Sequence, residues 1–379
     1  MSDERPLDDA DIAALQASVG IELAVTIRPY VEYATVDSMR NFARGYGDGN
    51  PLFGDEAYGN ASPWGTIVAP PLFPIATGMP VAAAVKPAAV MRRALRGVAV
   101  EVLHDRWTLH RPIRPGARLV RADSIAAVEG AASATALTAT VTTRSTYTEG
   151  DTIYAVHDRV RVYGGRSIAD ARGPHDERDG AVREGKARYD DRALAEIERL
   201  AAAWRRRGPT PLIAGNLRAG ERIGPMVKGP MTITDLVAYR GGVGPGPFGV
   251  EPLELARPNR VERPDFYDRD EAGAWDARER LHYDESYAQR CGHPSAYDYT
   301  HTRLNWMVHL VTDWMGDRAR LETISFVHLA HNYVGDTHWI DARIRAVDIE
   351  HDRTRVVLGL RGVNQLDVVT CRGEATVRL

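Results

Sequence analysis

The sequence predicts an α+β protein built from two similar halves, each an antiparallel sheet wrapped around one long central helix. Three observations support this. Strand-like segments occur in two blocks of four, each block follows a long apolar helical segment, and a shorter helical unit precedes each of those. A chain of 379 residues also has room for two domains of about 150 residues each.

The strand segments are recognised by alternating or β-branched residues. In the first half they lie at 98–110, 117–128, 135–147 and 153–163. In the second half they lie at 321–330, 337–349, 353–360 and 366–378. A turn precedes the second strand of each block, at Pro115-Gly116 and at Gly335-Asp336. The matching order indicates an internal duplication whose sequence has diverged.

The long helical segments lie at 71–95 and at 300–317. In the second of them, Leu304, Met307 and Val311 recur at helical spacing, and most of the circumference is apolar. A helix that is apolar on nearly all sides is expected to be buried. A buried helix wrapped by an antiparallel sheet is the hot-dog arrangement.

The shorter helical units open at Thr35-Val36-Asp37 and at Thr234-Asp235. Asp37 and Thr234 are the predicted N-caps, because Asp and Thr side chains accept bonds from first-turn N–H groups. The first unit is expected to run through Ala43, and the second to end at Gly241-Gly242.

These elements divide the chain into an N-terminal hot-dog domain at 1–163, a linker at 164–220 and a C-terminal hot-dog domain at 221–379. The linker contains one predicted helix, roughly 190–207. An irregular insertion at 242–275, rich in Pro, Gly and acidic residues, interrupts the second domain. A long segment without regular structure is usually functional or disordered.

Composition excludes several classes of protein. Hydrophobic residues make up 44% and charged residues 26%, and the net charge of -3 argues against a nucleic-acid-binding protein. The two cysteines form no CxxC pair, so a zinc knuckle or a disulfide framework is not expected. Lys86 and Pro87 break the longest apolar stretch, and the start of the sequence is polar and acidic. We therefore expect no membrane span, no signal peptide and a cytoplasmic location.

At 46–59 the chain reads YGDGNPLFGDEAYG. This resembles the signature of the (R)-specific enoyl-CoA hydratase and MaoC-like dehydratase family, whose core is Gly-Asp-x-Asn-Pro-Leu-His followed by Asp. Six positions match in order, namely Gly47, Asp48, Asn50, Pro51, Leu52 and Asp55. Phe53 stands where the family has His. The N-terminal domain is also similar to the dehydratase domain of type I fatty acid synthase.

The second half resembles the same family at other positions. The run 281–288 (LHYDESYA) is similar to the end of the signature and keeps the His, at His282, but the Asp-x-Asn-Pro portion is missing. The run 334–337 (VGDT) is similar to the family's Gly-Asp-Thr turn. Together the two resemblances imply a double hot-dog protein with its candidate active site in the second domain.

The resemblance implies reversible addition of water to a 2-enoyl thioester, carried on coenzyme A or on the phosphopantetheine of a carrier protein. A His–carboxylate pair can hold one water and move its protons. Backbone N–H groups at the start of the buried helix can stabilise the thioester oxygen. His282 is the predicted acid or base, and its partner is left open among Asp276, Glu279 and Asp48. No metal and no further cofactor are expected.

The resemblance also implies a set of substrate-binding residues, and it implies that the first half is a degenerate one that accommodates the acyl chain. In that half the candidates are Asn50 and Phe53. The others lie where the family places its thioester-binding turn: Tyr297, Asp298, Tyr299, Thr300 and His301.

Other interpretations stay open at this point. His282 is also compatible with a surface or capping histidine, and Asp48 and Asn50 are typical turn residues. The incomplete signatures fit a repurposed hot-dog enzyme that catalyses elimination, isomerisation or cyclisation. They also fit a non-catalytic subunit that completes another hot-dog dehydratase. An acyl thioester is the expected ligand, and a homodimer is the expected assembly.

Overall fold

The computed structural model describes residues 5–24, 28–79, 95, 98, 100–132, 137–164, 186–244, 252–262, 264–350 and 353–379. Its first-half strands are β1 (Glu22–Ala24), β2 (Val100–Leu109), β3 (Val120–Ala132), β4 (Leu137–Glu149) and β5 (Thr152–Tyr163). A short strand, β6 (Arg222–Lys228), opens the second half. A two-stranded hairpin, β7 (Tyr267–Arg269) and β8 (Trp275–Ala277), spans the end of the predicted insertion. The last four strands are β9 (Arg320–His328), β10 (His338–Glu350), β11 (Arg353–Asn364) and β12 (Val369–Arg378).

Ten strands of the described residues form one sheet, in the order β1-β3-β4-β5-β2-β9-β12-β11-β10-β6. All eight strands predicted from alternation are present, and β1 and β6 are additional strands at the two edges. The two blocks of four meet where β2 pairs antiparallel with β9, with Arg106 opposite Ser325. This pairing joins the two halves into one continuous sheet.

Nine helices are present among the described residues. They are α1 (Asp9–Gln16), α2 (Val36–Gly45), α3 (Glu56–Ala61), α4 (Pro74–Thr77), α5 (Asp191–Ala203), α6 (Ile233–Val243), α7 (Leu253–Glu262), α8 (Glu285–Arg290) and α9 (Thr302–Met315). Short 3-10 turns, including 51–53 and 278–282, connect several of them.

The predicted central helix of the second half is confirmed as α9, and every one of its residues is buried. The predicted helix at 71–95 begins as α4, and its continuation through 80–94 lies outside the described residues. The buried core runs through both halves, from Phe42 on α2 to Val377 on β12. The described part of the chain includes no helix that is both long enough and apolar enough to span a bilayer.

The predicted N-caps of the two short helices were wrong by two residues. The caps are Thr35 for α2 and Thr232 for α6, rather than Asp37 and Thr234. Each threonine is extended and accepts a bond from the N–H three residues on, while that residue's side chain bonds the threonine N–H. This reciprocal capping box satisfies two first-turn donors, which favours it over a single side-chain bond.

The predicted insertion is more regular than its composition suggests. Helix α7 and the hairpin of β7 and β8 occupy much of it, so the expectation of an irregular stretch at 242–275 was wrong for its described residues. Residues 245–251 lie outside the described residues. The hairpin leads directly into the turn that carries His282.

Candidate active site

A cavity of about 330 Å³ is lined by side chains from both halves. On the second-half side it is lined by Tyr239, Arg240, Glu279, His282, Tyr299, Thr300 and His301. On the first-half side the polar part of the lining is Arg121, Thr143, Ser145, Tyr147, His157, Arg159 and Arg161. Of the residues predicted from the sequence, His282, Glu279, Tyr299, Thr300 and His301 therefore share one cavity.

His282 is held by the backbone just before α9. It ends the 3-10 turn Arg278–His282, and its Nδ1 lies 2.8 Å from the carbonyl oxygen of Tyr297. A carbonyl can only accept, so Nδ1 carries the hydrogen and Nε2 is left as an acceptor. The ring packs against Tyr299, with 4.2 Å between ring centroids. Burial, aided by the charge of Arg240, lowers the pKa of His282 to about 3, so the imidazole is neutral near pH 7.

Glu279 is the one of the three predicted partner carboxylates that lines the same cavity as His282. Its side chain is buried, and it forms an ion pair with Arg240, which also lines the cavity. Among the described residues, no carboxylate forms a direct ion pair with His282. A pair that holds a water between its members requires a shared space rather than direct contact.

Asp276 and Asp48 lie elsewhere. The side chain of Asp276, on β8, is 47% exposed and lies 3.6 Å from Arg280. Asp48 is buried, and its Oδ1 lies 3.5 Å from Nε2 of His309 on α9. Neither lines the cavity that contains His282.

The buried Asp48 belongs to a charged cluster between the halves. Lys228 donates to Nδ1 of His309 at 2.8 Å, and Nε2 of His309 also lies 3.2 Å from Asp313. Burial raises the pKa of Asp48, and burial lowers that of Lys228 to about 8. His309 thus lies beside Asp48 although the motif histidine is replaced by Phe53. Its sequence signal is a histidine within an otherwise apolar helix.

Asn50 and Phe53 line a second cavity, of about 70 Å³. Asn50 accepts a bond from the Leu52 N–H at 3.0 Å and caps the 3-10 turn 51–53. Asp48 in turn accepts from the Asn50 N–H at 2.9 Å. These bonds give both polar motif residues a role in shaping the turn.

In the segment before α9, some residues hold neighbouring groups in place and others line the cavity. Asp298 is buried and forms an ion pair with Arg303 at 2.9 Å, and it accepts from Asn332 at 3.1 Å. Burial nevertheless raises the pKa of Asp298. Tyr297 supports His282 through its carbonyl group, and it is not among the cavity-lining residues. Asp298 and Tyr297 therefore position the segment, while Tyr299, Thr300 and His301 line the cavity.

A network around Asp105 on β2 adjoins the cavity and was missed by sequence reasoning. One carboxylate oxygen lies 2.6 Å from Nε2 of His157 and 2.8 Å from Nε of Arg159, and the other lies 3.2 Å from His328. Arg159 also contacts Nε2 of His301. Because His328 is on β9, one carboxylate connects the two halves.

The pKa values of the groups in this network are shifted. Burial alone would raise the pKa of Asp105, but Arg159 and the two bonded histidines hold it well below its ordinary value. Burial lowers the pKa of His157 and of His328 to about 4. The ring of His157 stacks on Trp107 with centroids 4.1 Å apart. The available signal was the polar alternation of β5, which places several polar side chains on an inward face.

In the described part of the chain, two groups of side chains bring donor atoms within 4.8 Å of one another, as a metal site would require: Asp105, His157 and His301, and also Asp48, His309 and Asp313. In each group a cation of the protein already contacts a member, Arg159 in the first and Lys228 in the second. These cations supply positive charge next to each group.

Residues 24–156 match the family model for the FAS1-like dehydratase domain region. A solved structure described as a MaoC-like dehydratase is 16% identical, with 96% of this chain and 99% of that chain covered and a TM-score of 0.63. A putative MaoC domain protein dehydratase from Chloroflexus aurantiacus is 11% identical, with 95% of each chain covered and a TM-score of 0.58.

A conserved hypothetical protein from Mycobacterium tuberculosis, described as having a double hotdog fold, is 13% identical. The alignment covers 96% of this chain and 97% of that chain, with a TM-score of 0.55. No curated protein matches the sequence. The fold is therefore the double hot-dog fold, and the resemblance to MaoC-like dehydratases and to the FAS1 dehydratase domain is confirmed.

Proposed function

We propose that this protein is a hydratase or dehydratase of acyl thioesters and that His282 is its acid–base residue. The observation that carries the proposal is the tautomer of His282. Because Nδ1–H is donated to the Tyr297 carbonyl, Nε2 remains a proton acceptor beside a cavity that reaches the start of α9.

In the proposed hydration, Nε2 of His282 takes a proton from water while the water oxygen bonds to C3 of the enoyl group. The same proton then passes from His282 to C2, so the elements of one water are added. The low pKa of His282 keeps Nε2 unprotonated before the reaction, so it is free to accept the proton from water. Glu279 is the proposed partner, because its carboxylate shares the cavity and would stabilise the imidazolium.

The thioester oxygen gains charge when water adds to the enoyl group. Helix α9 begins after His301 without any side-chain cap. Its first turn therefore retains N–H groups with no partner inside the helix, and the positive end of the helix dipole adjoins Thr300 and His301. This is the proposed stabilising site for the oxygen, in keeping with preorganised donors in acyl-transfer enzymes.

Hydration of a panel of enoyl-CoAs of different chain lengths tests the proposal. We expect His282→Ala to lower kcat by about 10²- to 10⁴-fold, the range of general acid–base catalysis. Glu279→Gln should also lower kcat, whereas Asp276→Asn should not. His110→Ala, at an exposed histidine just after β2, is the matched control. Turnover of no chain length, or equal rates for wild type and His282→Ala, would show that the proposal is wrong.

A further inference from the structure

Among the described residues, four guanidinium groups line the large cavity, and they differ in their partners. Arg121 is paired with Asp123 at 2.7 Å, Arg159 with Asp105 at 2.8 Å, and Arg240 with Glu279. The fourth, Arg161 on β5, donates to the hydroxyl of Thr143 at 3.1 Å. Within the described part of the chain, no carboxylate pairs with Arg161.

The cavity wall therefore carries one positive charge in excess, since four guanidinium groups face three paired carboxylates. The histidines do not change this count. Nε2 of His282 is unprotonated, and Nε2 of His301 accepts from Arg159, which can only donate. A partly buried cation without a counter-charge is unfavourable unless a ligand supplies the charge. Burial, together with the charge of the neighbouring Arg159, lowers the pKa of Arg161 to about 10. This agrees with the lack of a paired carboxylate.

The position of Arg161 indicates which part of a ligand it meets. His157, Arg159 and Arg161 alternate along β5, so they share the inward face of the sheet. Arg159 contacts His301 next to the start of α9, and Arg161 lies two residues further along, about 7 Å away. Apolar side chains, among them Val100 and Val102, line the same cavity. On the neighbouring strand β2, Val102 lies opposite Arg161. A short carbon chain that starts near α9 would therefore end near Arg161 and Val102.

We propose that the acyl group carries a carboxylate that Arg161 binds, so the substrate class is a thioester of a dicarboxylic acid. The thioester part of this inference rests on the proposed function. A carboxylate accepts two bonds from one guanidinium in a matched planar geometry. The phosphates of coenzyme A are separated from the thioester by the full pantetheine arm, so an acyl chain anchored at α9 places its own far end at Arg161.

Binding of two saturated thioesters, succinyl-CoA and butyryl-CoA, tests this without any turnover. Isothermal titration calorimetry would give both dissociation constants for wild type. We expect succinyl-CoA to bind about 10- to 100-fold more tightly, the effect of a hydrogen-bonded charge pair. Arg161→Gln should bring the two affinities together, and Arg161→Lys should keep part of the preference. Arg106→Gln, at an exposed arginine on the adjacent β2, should leave the preference unchanged.

Three outcomes would overturn the inference: equal affinities in wild type, an unchanged preference in Arg161→Gln, or an equal loss of affinity for both thioesters. The last would place Arg161 against the coenzyme, which both ligands share. Thermal unfolding of each variant shows that it is folded. Because the ligands cannot be hydrated, a preference that depends on Arg161 would stand even if His282→Ala left hydration unchanged.

Discussion

Asp105 lies at the centre of the polar network that adjoins the cavity. It is completely buried, and it bonds His157 and Arg159 on β5 and His328 on β9, the two strands that flank β2. An ionised carboxylate in such a position is stable only when its partners satisfy it. The positive charge of Arg159 is in turn balanced by this carboxylate, which lies 2.8 Å away.

Asp105→Asn should therefore destabilise the protein strongly. Removing one member of a buried ion pair leaves the other charge uncompensated, at a cost of about 3–5 kcal/mol in the free energy of unfolding. Urea unfolding of wild type and variant measures the difference. The control is Asp158→Asn on β5, whose bond to Arg144 is at 2.7 Å but lies at the surface, and for which about 1 kcal/mol or less is expected. Equal losses in both variants would contradict the role assigned to Asp105.

At the residue scale, the sequence located His282 but not its surroundings. The motif resemblance drew attention to a histidine that does line a cavity. The sequence left three carboxylates as possible partners of His282. Glu279 lines the same cavity as His282, whereas Asp48 lies beside His309. That distinction depends on how residues far apart in the chain are brought together. The catalytic roles themselves stay predictions.

At the scale of elements, the packing of α2 against α6 joins the two halves at a second place, besides the pairing of β2 with β9. The helices approach so closely that the backbones of Gly45 and Gly242 meet. A Cβ atom placed on Gly242 would lie 2.4 Å from the carbonyl oxygen of Asn41 and 3.1 Å from Cα of Gly45. Glycine is required there because any side chain would separate the helices.

Gly242→Ala should therefore destabilise the protein by about 1–3 kcal/mol, the usual effect of overpacking. Gly241→Ala is a matched control in the same helix, because a Cβ at Gly241 meets nothing within 4 Å. Alanine has the higher helix propensity by about 1 kcal/mol, so the control should be neutral or stabilising. Thermal or urea unfolding compares the two variants. A loss of stability in Gly241→Ala as large as that in Gly242→Ala would refute the contact.

At the scale of the whole molecule, one continuous sheet crosses both halves, and buried neutral histidines lie close to where they join. Burial lowers the pKa of His157 and of His328 to about 4, and that of His282 to about 3. In the unfolded chain each would titrate near its ordinary value of 6.5. The assembly of one chain with another remains a prediction at this scale.

Stability should consequently fall as the solution becomes acidic. Above pH 6.5 these histidines are neutral in both states, and below it only the unfolded chain takes up their protons. Each histidine then removes up to about 1.4 kcal/mol per pH unit until its folded pKa is reached. Asp105 adds a loss in the same direction at lower pH, because its folded pKa lies below the unfolded value.

Urea unfolding between about pH 7 and pH 4.5 measures this dependence. His157→Gln should reduce the slope of unfolding free energy against pH, because one titrating group is removed. His110→Gln, at an exposed histidine, should leave the slope as it is in wild type. A free energy of unfolding that stays constant from neutral pH to about pH 5 would contradict the buried neutral state.

The sequence by itself determined the two blocks of strands, the buried helix α9 and the location of the incomplete signatures. It could do so because strand alternation, helical periodicity and turn residues are local patterns. Only the tertiary structure decided that Asp105 bonds His328, 223 residues away, that Glu279 shares the cavity of His282, and that Arg161 lacks a carboxylate partner among the described residues. These contacts depend on strand register and on the pairing of β2 with β9, which no local pattern encodes.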